Sequence, residues 1–163
     1  MDYSWTECLG GTLELYARGL YLHRYDRQIF PTSPVVDELR RPDTTAAGLL
    51  KYRANFGASW ACRDWGVGWD GHYFHSRVLP LNEQAFQGGS QIDAHVQYDV
   101  YVQGDLARWL PGLTVPHGLR GQLRVNNVFG AAFPRYAGGS GFGVQPYGDW
   151  RGRTYSLSLT VTF

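Results

Sequence analysis

The chain has 163 residues, room for one domain of ordinary size. Fifteen Lys and Arg against 14 Asp and Glu leave a net charge of +1, so no global field points to nucleic acid. A mean hydropathy of -0.32, with no apolar run near the roughly 20 residues of a spanning helix, excludes a helical membrane protein; aromatic residues at 15% exclude disorder.

In chain order, residues 2–7 read as the tail of a strand. Residues 12–25 place Leu13, Leu15 and Ala17 opposite Glu14 and Arg18, and the alternation breaks near Leu20 and Leu22, where a bulge is expected. In 51–62, Tyr52, Ala54, Phe56, Ala58, Trp60 and Cys62 face one way; Arg53, Asn55, Gly57 and Ser59 face the other. Arg63 and Asp64 form a two-residue gap, the length of a tight hairpin turn, before 65–75, where Trp65, Val67, Trp69 and Tyr73 oppose Gly66, Gly68, Asp70 and His72. In 92–103, Ile92, Ala94, Val96, Tyr98, Val100 and Val102 oppose Asp93, His95, Gln97, Asp99 and Gln103; in 118–129, Leu119, Leu123, Val125 and Phe129 oppose Arg120, Gln122, Arg124 and Asn126. The last segment is the clearest. Tyr155, Leu157, Leu159, Val161 and Phe163 share one parity, and five Ser and Thr hydroxyls share the other.

The expected fold is therefore all-β, an antiparallel up-and-down meander of about six strands and a stub, each strand about eleven to fourteen residues against the roughly five or six of globular strands. A strand crossing a bilayer at a tilt needs roughly nine to eleven. Lipid offers no hydrogen-bond partners, so only a sheet whose backbone groups are all paired can cross it without helices. Long and short connections largely alternate, as in outer-membrane barrels; 104–117, with Trp109, Pro111 and Pro116, is long for a short-turn side. The 6 Trp and 11 Tyr include several near strand ends, where interfacial girdles lie. Alternation alone does not say which face is inside. A soluble barrel buries the apolar parity, and a membrane barrel turns it outward.

Leu123-Arg124-Val125-Asn126-Asn127-Val128-Phe129, a loop, and then Gly152-Arg153-Thr154-Tyr155 running to Phe163 resemble the C-terminal end of TonB-dependent outer-membrane receptors. Those receptors carry an Asn-Leu-Phe-like motif in the penultimate strand and end on an aromatic strand closing with Phe. Val128 stands in place of the usual Leu. The segment 21–28 and the hairpin 51–75 are also similar. The resemblance implies part of a plugged barrel of about 22 strands, with the plug and the earlier strands absent from this chain, and an outer-membrane location for the intact protein. Met1 to Trp5 has no basic or apolar leader, so no export signal is expected here. The function implied is uptake of a scarce solute: siderophore iron, cobalamin or a glycan. The partners implied are outer-membrane lipid, the barrel-assembly machinery, TonB through the missing part, and a small solute; nucleic acid is not expected. Tyr155, Leu157, Leu159, Val161 and Phe163 would form the membrane-insertion signal. With Phe163 at the periplasmic end, connections 26–50, 76–91 and 130–151 would lie outside.

Candidate lumen contacts are Asp93, His95 and Asp99, and Arg120 and Arg124, each set sharing a wet face. His72 and His75 are three apart, which on a strand points them to opposite faces and away from shared metal ligation. The Gly138–Gly143 run lacks the Lys-Ser/Thr of a phosphate loop and the spacing of a nucleophile elbow, and reads as a flexible loop. Cys8 and Cys62 are too few for a disulfide scaffold or a zinc site. No Ser stands on a wet face beside His95 at the outer rim, so an enzyme is not expected, and no cofactor or metal is. The competing expectations are a self-contained or oligomeric small outer-membrane barrel and a soluble β-barrel binding protein.

Overall fold

The computed structural model describes residues 1–42, 49–109, 118–138, 141–144, 149 and 151–161, with backbone only for residues 8, 109, 138 and 141–144. Seven strands form one antiparallel sheet: β1 (Asp2–Cys8), β2 (Gly11–Tyr21), β3 (Tyr52–Cys62), β4 (Trp65–Phe74), β5 (His95–Asp105), β6 (Leu119–Asn126) and β7 (Thr154–Val161). Each pairs with the next in sequence, so the order is an up-and-down meander with β1 and β7 as its edges. Among the described residues the sheet does not close into a barrel.

Registers run straight across it. One row joins Leu13, Trp60, Val67, Val102, Leu123 and Leu157; the next apolar row joins Leu15, Ala58, Trp69, Val100, Val125 and Tyr155. Between them lie Glu14, Ser59, Gly68, Tyr101, Arg124 and Ser156. The period-2 alternation of each strand thus becomes two faces of opposite character.

Several boundaries differ from expectation. The stub is a full strand. The bulge lies between Trp5 and Cys8 rather than near Leu20, because β2 keeps unbroken register with β3 from Thr12 to Tyr21. Leu20 breaks the pattern by sitting on the polar face opposite Arg53, where it is exposed. β5 begins at His95 because Gln91 and Ile92 pair instead with Arg77 and Val78 in a separate ribbon. β6 stops at Asn126 because Asn127 is left-handed (φ 52), a conformation Asn tolerates better than most residues. The Gly-rich run belongs in part to a hairpin: Arg135–Gly138 pairs with Gly141–Val144, and Gly139 and Ser140 lie outside the described residues.

Short connections, at 9–10, 63–64 and 106–118, occupy one end of the sheet; long ones, at 22–51, 75–94 and 127–153, occupy the other. The 106–118 connection opens with helix α2 (Leu106–Trp109), whose first turn is capped when Asp105 Oδ1 accepts the Ala107 amide at 2.9 Å. Among the described residues, the buried aliphatic side chains are Leu50, Leu79 and Ile92, and all three belong to the long connections. The sheet contributes none. Its apolar face is exposed: Leu157 is 69% accessible, Leu159 59% and Trp65 42%. Its polar face is enclosed at the centre, with Gln97 at 5% and Asp99 at 6%, and open toward the edges.

The second and third long connections pack on one another. Helix α1 (Leu81–Gln87) ends at left-handed Gly88, and its Gln87 side chain imitates a strand: Nε2 donates to the Arg135 carbonyl (3.0 Å) and Oε1 accepts from the Ala137 amide (2.7 Å). The Arg77 guanidinium lies 4.9 Å from the Tyr136 ring centre.

Candidate functional site: the polar face of the sheet

At the centre of the polar face, side chains from four strands form one ladder. Tyr16 (β2) donates its hydroxyl proton to Asp70 Oδ1 (β4) at 2.7 Å. It crosses over β3, which offers only Gly57 beneath the ring. The other Asp70 oxygen accepts from Arg124 Nη1 (β6) at 3.0 Å, and Arg124 crosses β5 to reach it. The Arg124 guanidinium also covers the Tyr101 ring at 4.9 Å, and Tyr101 in turn lies over Gly68.

Asp99 (β5) stands beside Asp70 in register. Its Oδ2 is 3.8 Å from Arg124 Nη1 and 3.5 Å from His72 Nε2, while His72 Nδ1 is 3.0 Å from Asn55 Oδ1. Its Oδ1 accepts the Asn127 amide at 2.9 Å and Gln97 Nε2 at 3.3 Å. A carboxylate buried this far is tolerable because Oδ1 accepts two hydrogen bonds and Oδ2 faces a guanidinium and an imidazole. His72, Phe74, Gln97, Asp99, Asn126 and Asp149 line a cleft of about 290 Å³ over this ladder. Asp149 comes from the third long connection.

The structure brings together Asp99 and Arg124 from the sequence candidates. Asp93 is exposed and lies before β5, outside the ladder. His95 is enclosed at the first position of β5, with its ring 4.9 Å from Phe133 and its Nε2 buried without a partner. Arg120 sits at the short-turn end, in register with Asp105 and Thr160, on a cleft of about 360 Å³ shared with Arg63 and Gln122. Tyr16, Asp70 and His72 were not among the expected lumen contacts, although all three share the wet parity of their strands. The signal was glycine at the crossing points: Gly57 under Tyr16 on the strand between Tyr16 and Asp70, and Gly68 under Tyr101 on the neighbouring strand. His72 and His75 do point apart, His75 turning to the Tyr73 hydroxyl (2.9 Å) and the Tyr52 ring. Among the described residues no cluster of three or more His, Cys, Asp or Glu side chains has the arrangement of a metal site. Cys62 is a free thiol whose Sγ donates to the Gly10 carbonyl at 3.1 Å.

The Asn-Asn-Val-Phe segment acts as the root of the third long connection. Asn126 Nδ2 donates to the Thr154 hydroxyl (3.0 Å), and the Asn127 side chain both accepts the Ala131 amide and donates to the Ala131 carbonyl, each at 2.9 Å. The Val128 amide donates to the Tyr98 carbonyl at 2.8 Å, and Phe129 packs edge-on to the Tyr98 ring.

At the far end of that connection Arg151 donates side-chain and backbone hydrogen bonds to Asp149, which hold its carboxyl below the ordinary Asp value. The carboxylate form is therefore favoured in the folded chain. Its stabilising effect is present above the ordinary Asp pKa and is lost as pH falls through the depressed one. Carbon-detected NMR titration is expected to show Asp149 titrating below a free Asp, and Arg151→Gln is expected to move it upward; an unmoved titration would show that the pair does not set it.

Compared with known proteins, the chain matches no family model, no curated protein and no solved structure.

Proposed function

We propose that this chain is barrel wall from an outer-membrane transporter of the TonB-dependent receptor type, whose intact form takes up a scarce solute such as siderophore iron, cobalamin or a glycan. The observation that carries this reading is the inverted polarity of the sheet. At the centre of one face Gln97 and Asp99 are buried and Asp70 and Arg124 half-buried, while Leu15, Val67, Trp69, Leu123, Leu157 and Leu159 stand exposed on the other. A water-soluble barrel requires the reverse.

Dimensions support it. From Trp65 to Phe74, β4 extends about 30 Å at roughly 3.3 Å per residue, and a strand tilt of about 40° leaves about 23 Å of that along the membrane normal, near the roughly 25 Å apolar band of such barrels. Aromatic rings border the band: Trp5, Trp60 and Trp65 toward the short turns, Tyr21, Tyr52, Tyr73 and Phe129 toward the long connections. Tyr155, Leu157, Leu159 and Val161 hold the apolar face of β7, where an insertion signal is accessible to lipid and assembly machinery; Phe163 lies outside the described residues. The long connections are then outside, and the short turns face the periplasm.

Strand parity favours a larger barrel over a ring of copies. With seven strands in alternation, β1 and β7 run in the same direction. Copies related by an axis along the membrane normal would meet through parallel edges, although every pairing within the sheet is antiparallel. An odd number of further strands restores antiparallel closure.

The test is lipid contact. The full chain is folded with phospholipid carrying brominated acyl chains, and tryptophan fluorescence is recorded. Strong quenching is expected, because Trp65 and Trp69 are on the apolar face; a folded chain with unquenched tryptophan would defeat the reading.

A further inference from the structure

One carboxylate belongs both to the polar-face ladder and to the root of the third long connection. Asp99 presents Oδ2 to His72 and Arg124, and Oδ1 to the backbone amide of Asn127. Asn127 is 2% exposed and left-handed, a conformation that persists in a residue with a side chain when the surroundings over-determine it. Two features over-determine it: the Asp99 carboxylate on its amide and the paired hydrogen bonds of its side chain with the Ala131 backbone. Beyond it, Val128 and Phe129 attach to Tyr98, and Phe133 to His95. The root of the connection is thus stitched to the first strand positions of β5, and its far end returns Asp149 to the cleft over Asp99.

We propose that Asp99 is a coupling residue: any occupant of the polar face that changes how Arg124 and His72 meet its Oδ2 changes how firmly its Oδ1 holds Asn127, and so how firmly the connection 127–153 is docked. Coupling of this kind is reciprocal, so displacing the connection alters the ladder by the same factor. The connection also carries the Arg135–Gly138 segment gripped by Gln87, so the second long connection moves with the third. Interpreting this as communication between lumen and outer surface rests on the barrel reading above; the coupling itself rests only on the sheet.

The experiment measures hydrogen–deuterium exchange in the full chain, folded in detergent, over the peptide containing residues 125–133. Arg124→Gln changes the polar-face side of Asp99; among the described residues the Arg124 guanidinium pairs with Asp70 and Asp99 and not with the connection. It is expected to speed exchange there about fivefold or more, within the usual range of such couplings. Asp99→Ala is expected to speed it further, and adding Arg124→Gln to Asp99→Ala is expected to change nothing more. Should Asp99→Ala fail to fold, Asp99→Asn replaces it, keeping one acceptor oxygen while losing the charge that faces Arg124; again Arg124→Gln should add nothing. The proposal is overturned if Arg124→Gln leaves exchange unchanged, if the two effects simply add, or if Arg18→Gln, elsewhere on the same face, speeds exchange equally. Quenching by brominated lipid separates the two readings. Coupling lost with quenching retained removes this proposal alone, and coupling retained without quenching removes the barrel.

Discussion

Arginine in place of Val100 is expected to cost about 2–4 kcal/mol of folding into a bilayer, the price of a guanidinium held near the middle of the hydrocarbon. Val100 sits mid-sheet on the apolar face, between Trp69 and Val125 in register. Three residues along the same strand, Gln103 faces the other way beside Gln122, whose Nε2 donates to it at 3.2 Å. Gln103→Arg is expected to stay within about 0.5 kcal/mol, as surface changes do. Denaturant titration of the full chain in phospholipid vesicles checks both. In water the same pair discriminates differently, because the half-buried Val100 faces no hydrocarbon there and Val100→Arg is expected to cost less than in the bilayer. Equal costs for the two variants in vesicles would mean that the apolar face does not touch lipid.

The strands were legible because their chemistry repeats with the pleat. In β7, hydroxyls and apolar groups alternate without a break, and no helix could separate them so cleanly. Consecutive pairing followed from the tight turn at Arg63 and Asp64. The ladder was only half legible. Asp99 and Arg124 could be placed on a wet face from parity, but their meeting with Asp70, Tyr16 and His72 depends on register across five strands, which no single strand encodes. Asp93 shows the limit from the other side: alternation continues through it, yet Gln91 and Ile92 are taken by a ribbon with Arg77 and Val78, and the strand starts two residues later. The small apolar core of the connections was not legible at all. Leu50, Leu79 and Ile92 come from separate segments and share no period. It is also the part of the chain that behaves like an ordinary globular interior, with apolar groups inward.

Gly57→Ala is expected to destabilise the sheet by about 1–3 kcal/mol, the usual cost of overpacking. A Cβ at Gly57 would stand 2.5 Å from the Trp69 carbonyl oxygen, 2.7 Å from Tyr16 Cε1 and 3.1 Å from Asp70 Oδ1. The carbonyl is backbone of the neighbouring strand and cannot swing aside, so the Tyr16 ring must lift as well. Tyr16 reaches Asp70 only because the strand between them is bare at that point; neighbouring strands are about 4.8 Å apart, so a bond from β2 to β4 spans twice that. A double-mutant cycle isolates the consequence. In the parent chain Tyr16→Phe removes a hydrogen bond to a charged acceptor, worth about 1.5–3 kcal/mol, with Asp70 still held by Arg124. In the Gly57→Ala background the same change should cost close to nothing, since the hydroxyl has already been displaced, giving an interaction energy of about 1.5–3 kcal/mol, within the range for residues in contact. Additive costs would show that the glycine is not what lets Tyr16 cross the strand.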